Sequence, residues 1–150
     1  MRILKIDVDT SVIGGCLDAE FEADSLALLE MARSGRVKLP ISNITLRELD
    51  GAPPDVQAIF QTLPEACIEE IESNVDTEHL RDRYVSHGVV GAGSSVDAHH
   101  VALAVVYHAD MIVSWNFKHI VHHEKIDGFN SVNLDEGYPP LRIYSPKEIV

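Results

Sequence analysis

Residues 94–120, SSVDAHHVALAVVYHADMIVSWNFKHI, decide how this chain is read. Val101, Ala104, Val105 and His108 recur at helical spacing, so residues 96–109 are predicted as a helix, with Asp97 in its first turn. MIVSW at 111–115 is a short apolar run of strand length. Working outward, RILKIDV at 2–8 reads as a first strand and RVKLPI at 36–41 as a second. Between them, residues 20–33 carry Phe21, Leu28, Leu29 and Ala32 at helical spacing, and Gly35 is a natural stop. Strands alternating with helices predict an α/β fold: a central, mostly parallel β-sheet flanked by helices on both faces.

The remaining segments fit that frame. Asp9-Thr10-Ser11 can cap a helix that Gly14-Gly15 interrupts. Ser42-Asn43 offers a cap for a short helix at 44–49, and Gly51 to Pro54 a turn. Residues 55–63 are predicted as a helix, 65–73 as either helix or strand, and 76–86 as a helix capped by Asp76-Thr77. Small residues at 88–95 read as a loop, 117–123 as a short helix and 141–144 as a last strand. No composition shift divides the 150 residues, which are read as one domain, 1–150.

Composition excludes several function classes. Hydrophobic residues make up 45% and charged residues 24%, as in an ordinary globular protein. The net charge of −12 argues against a broad basic footprint on nucleic acid. The acid excess is uneven: residues 1–78 hold sixteen acids against six bases, and residues 79–150 eight against six. Two cysteines without a CxxC pair suggest no thiol zinc site and read as reduced thiols of a cytoplasmic protein. No apolar run is long enough to span a membrane.

Ligands of parallel sheets bind beyond the C-terminal ends of the strands. Asp9 follows the first strand and Asn116 the MIVSW strand; Glu48 lies on the helix after the second strand, and Asp97 opens the long helix. Several carboxylates at one site repel unless a cation joins them. Mg²⁺ or Mn²⁺ prefers oxygen ligands, leaves room for phosphate, and can orient a water towards a phosphodiester.

These residues carry a resemblance to the PIN-domain family, in particular the VapC-like ribonuclease toxins. KIDVDTSVIGG resembles that family's strand followed by Asp-Thr-Ser, SNITLRELDG its second block, and residues 94–120 its third. The resemblance implies a single PIN-like domain and makes Asp9, Glu48 and Asp97 the metal-binding acids. It places Ser114 on a small hydroxyl position and Asn116 where the family often has an aspartate. An amide oxygen can contact a metal or a metal-bound water but carries no charge. The implied function is a Mg²⁺- or Mn²⁺-dependent endoribonuclease. Asp9, Glu48, Asp97 and Asn116 would carry the catalysis on an RNA substrate. The implied setting is a homodimeric toxin paired with an antitoxin protein.

Competing readings attach to the same residues. A catalytically weak or inactive PIN-like interaction module would explain Asn116 and the acidic surface. A haloacid-dehalogenase-type phosphatase would use Asp7 and Asp9 of the DVDTS run. Asp7 is otherwise read as pointing away from Asp9, an outlying charge. Thr10 and Ser11 are expected as caps and Trp115 as a packed anchor. The histidines, with His119, His122 and His123 at i, i+3, i+4, are expected as a solvated or partner-facing patch rather than a transition-metal site. Grip on phosphate is expected to be local, helped by histidine, Arg81 or Lys118.

Overall fold

In the computed structural model, which describes residues 2–150, five parallel strands form one sheet. The strands are β1 (Leu4–Val8), β2 (Val37–Ser42), β3 (Ile68–Ile71), β4 (Met111–Val113) and β5 (Arg142–Tyr144), in the spatial order β3-β2-β1-β4-β5. The helices are α1 (Thr10–Gly15), α2 (Glu22–Arg33), α3 (Asn43–Asp50), α4 (Pro54–Gln61), α5 (Val75–Ser86), α6 (Ser95–Val106) and α7 (His123–Asp135). The chain winds outward from β1 to β3 and then returns to the other side of β1. The crevice above β1 and β4 is therefore where such a sheet opens a ligand site.

Period-two alternation sends the strands' side chains into two cores. Ile6 and Val8 join Leu39, Ile41, Met111 and Val113 under α2, with Leu28 and Leu29 above them. Ile112 and Ile143 face the opposite way, into a core with Leu80 and Tyr84 of α5, Val101 and Val105 of α6, and Phe129 and Val132 of α7. Helix α6 is buried without a break from Ala98 to Val105, so it is a central post rather than an amphipathic surface helix. It stops at Val106, and His108 makes the exit turn in the left-handed region, at φ 58°.

Most sequence-predicted elements stand where the patterns place them. Ser42 caps α3 by accepting the Thr45 N–H at 3.1 Å, and Gly35 leaves α2 at φ 79°. The ambiguous stretch at 65–73 resolves into a 3₁₀ turn at Glu65–Cys67 followed by β3. Two expectations are corrected. Residues 117–122 form turns, not a helix, because the Asn116 side chain and carbonyl capture the amides that follow: Oδ1 accepts His119 N–H at 2.9 Å and the carbonyl accepts Val121 N–H at 2.8 Å. Helix α7, unforeseen from sequence, begins at His123 with His122 as its cap. Its polar Asn130 and Asn133 hid the pattern, yet they fasten it: Asn130 bonds both the amide and the carbonyl of Leu141, and Asn133 accepts the buried Tyr84 hydroxyl.

No helix among the described residues is long and apolar enough to cross a membrane.

Candidate active site above β1 and β4

Register builds the centre of the site. Val8 pairs with Val113 at the ends of β1 and β4, so the next residues, Asp9 and Ser114, meet. Ser114 Oγ donates to Asp9 Oδ2 at 2.6 Å, and Ser11 Oγ donates to Asp9 Oδ1 at 2.5 Å. Each hydroxyl has one proton and spends it on Asp9. Each then accepts a backbone amide of the β4 exit: Trp115 N–H to Ser11 at 3.0 Å, Asn116 N–H to Ser114 at 2.9 Å. Asp9 occupies the cap position of α1 but makes no capping bond, so its carboxylate is turned to the serines and not to the helix. Ser11, expected as a cap, is instead a hand on Asp9.

Glu48 arrives from α3. Its Oε1 accepts Thr10 Oγ–H at 2.8 Å and His100 Nε2–H at 2.8 Å. The imidazole is 3% exposed and the carboxylate 38%. His100 is thus a site residue that the sequence reading assigned to a solvated patch. His99 is buried too, with Nε2 3.2 Å from Thr77 Oγ1. Both histidines lie inside because α6 itself is a central post. His119 and His122 serve turns and caps instead of one helical face.

Asp7 also departs from expectation. Residues two apart on a strand share a face, so Asp7 lies on the same side of β1 as Asp9, buried in register with Ile112 and towards α6. Burial pushes its carboxyl up to about 8; the charge of His100 opposes this and that of Asp9 adds to it. Burial raises Asp9 as well, against His100 and the two serines. Burial would also raise Glu48, but the His100 and Thr10 bonds outweigh it and hold the acid low. Burial lowers His100, yet Glu48, Asp9 and Asp7 together carry it above its ordinary value. Asp7 is buried inside the strand, where an aspartyl nucleophile has little access to a phosphate substrate.

The other two expected residues stand at the rim. Asp97, half-buried, is three residues before His100 on α6 and so on the same helical face. Asn116 sits at the exit of β4 with Oδ1 engaged by His119 N–H. Trp115 is the packed anchor expected: its ring stacks on Phe21 at 4.1 Å and its Nε1 donates to Ser25 Oγ at 2.8 Å. A concavity of about 490 Å³, lined by Ile41, Leu46, Phe60 and Ile68 among others, includes none of these acids.

The donor chemistry suits a hard divalent cation. Asp7, Asp9 and Glu48 surround a single imidazole; burial is the main cause that raises Asp7 and Asp9, with carboxylate repulsion a smaller one, and a cation would relieve both. Among the described residues, no three His, Cys, Asp or Glu side chains already converge as a ligand set. Glu48 and Asp97 both keep part of their surface in solvent.

No protein-family model and no curated protein matches the sequence. Its backbone, however, is similar to solved structures. One is VapBC2 from Rickettsia felis bound to a DNA fragment from its promoter, with a TM-score of 0.58 and 13% identity over 95% of this chain and 98% of that one. Another is FitAB bound to an IR36 DNA fragment, with a TM-score of 0.55 and 16% identity over 94% of each chain. Both are toxin–antitoxin complexes whose toxins are PIN-domain proteins. With its all-parallel sheet, its strand order and these likenesses over nearly its whole length, the chain has a PIN/VapC-like α/β fold.

Proposed function

We propose that this protein is a metal-dependent endoribonuclease, the toxin of a toxin–antitoxin pair. One observation carries the reading: a carboxylate held by two serines where β1 and β4 end, with a second carboxylate 39 residues on brought beside it. In this reading Asp9, Glu48 and Asp97 hold Mg²⁺ or Mn²⁺. When bound, the ion supplies a polarised water and offsets phosphate charge. The protein's part is orientation. Ser11 and Ser114 fix the direction of the Asp9 carboxylate and oppose the effect of burial on it, and Asn116 would contribute its side-chain amide at the rim. The backbone likeness to VapBC2 and FitAB supports an antitoxin as partner; a homodimer as assembly and the cytoplasm as setting rest on the sequence resemblance.

Purified protein is expected to cleave single-stranded RNA with Mn²⁺. EDTA or Asp97→Ala should lower the rate at least about a hundredfold, since even outer partners of a metal site are worth 10–100-fold. Cleavage that survives both treatments removes the reading. A second reading, a catalytically silent PIN-like module that binds a partner, is favoured by the Asn116 Oδ1 being turned into its own turn. It predicts no metal-dependent turnover on any RNA while partner binding persists.

A further inference from the structure

The two donors that reach Glu48 converge on one oxygen. His100 Nε2–H and Thr10 Oγ–H both bond Oε1, each at 2.8 Å, and among the described residues no hydrogen bond reaches Oε2. The last torsion of a glutamate is broad and soft, so a carboxylate on a short surface helix does not fix its own orientation. Two donors on one oxygen fix it. They come from different elements: Thr10 opens α1, and His100 stands on the buried post α6 among Ala98, Val101 and Ala104. A polar ring at such a depth is costly unless it is bonded, and its bond is to Glu48. Because the acceptor is an ionised carboxylate, Nε2 must carry the proton whether the ring is neutral or charged.

We propose that His100 is a positioning residue which, together with Thr10, clamps Oε1 of Glu48 so that Oε2 is presented to the divalent cation. The proposal rests on the reading of Glu48 as a ligand. It adds an imidazole and a hydroxyl to the site as outer partners. Such partners orient ligands and raise affinity without touching the ion. It also accounts for the mixed exposure of the pair, a buried clamp and a carboxylate that reaches solvent.

The test is Mn²⁺ affinity by titration calorimetry on the intact chain, with folding checked by circular dichroism. Wild type should bind, Glu48→Gln and His100→Ala should each weaken binding about tenfold or more, and His100→Gln, which restores an N–H donor, should recover most of the loss. The double variant Glu48→Gln with His100→Ala should bind no more weakly than Glu48→Gln alone, because His100 acts through Glu48. Wild-type or tighter binding by His100→Ala, or losses that add in full, would overturn the proposal while leaving Glu48 a ligand. No Mn²⁺ binding by wild type, or unchanged binding by Glu48→Gln, would instead sink the ligand reading and the proposal with it. If His100→Ala does not fold, His100→Gln and Thr10→Val decide. Retained affinity in the first with loss in the second supports the clamp; a folded His100→Gln that loses tenfold overturns it.

Discussion

Asp7 places a carboxyl in the protein's interior. Its carboxyl, pushed up to about 8 by burial, binds a proton more tightly in the native chain than in the unfolded one. Its favourable contribution is therefore complete below about pH 4 and declines as pH rises through about 8. His100, also raised, loses stabilisation in the same direction above its ordinary value, whereas the lowered Glu48 opposes it only at acid pH. Asp7→Asn is expected to flatten the fall in stability between pH 5 and pH 8.5 and to stabilise the metal-free protein at pH 8 by about 1–3 kcal/mol. Thermal melts in EDTA across that range check it; an unchanged slope would mean that Asp7 is not the source. At this scale the sequence was partly legible. Asp9, Glu48 and Asp97 stand out as acids near strand ends and helix starts. The sharing of one strand face by Asp7 and Asp9 was also there in their spacing. The role of His100 was not, since nothing local says that the helix bearing it is buried all round.

Elements hold the site through contacts that allow no added atoms. Gly15 ends α1 against β4's exit: a Cβ there would lie 2.6 Å from Ser25 Oγ and 2.7 Å from Trp115 Nε1, the two atoms of the buried bond that anchors Trp115. Gly15→Ala should therefore destabilise the protein by about 1–3 kcal/mol and shift Trp115 fluorescence to the red as the ring loosens. Gly14→Ala, with open space around its Cβ, serves as the neutral control. On the opposite face α7 hangs from β5 through Asn130, whose side chain answers both backbone groups of Leu141. Asn130→Ala leaves those groups unpaired and should cost about 1–3 kcal/mol in chemical denaturation, with Asn130→Asp milder because it keeps the acceptor. Periodicity revealed α2 and α6 and missed α7. Helix α7 is fastened by bonds from Asn130 to Leu141, just before β5, and between Asn133 and Tyr84 of α5, beside its buried Phe129 and Val132.

Over the whole molecule, charge and topology set the terms of any encounter with RNA. The net charge is −12, so attraction to phosphate is expected to be short-ranged and local. If the proposed metal-dependent activity holds, RNA affinity measured with Ca²⁺ in place of Mg²⁺ or Mn²⁺ should fall with salt at a log–log slope shallower than about −2, the mark of few phosphate contacts. A steep slope would point to basic residues supplied by a conformational change or a second subunit. The sequence by itself determined the alternation of strands and helices, apart from β3 and α7, their mostly parallel arrangement and the acids offered at their ends, because these follow from periodicity, capping residues and chirality over short spans of chain. Only the tertiary structure decided which side chains meet. The β1–β4 register sets Ser114 against Asp9 across 105 residues, and the burial of α6 sets His100 against Glu48 across 52. Hydrogen bonds act over about 3 Å, so partners so far apart in sequence are chosen by packing and sheet order, which no local pattern encodes.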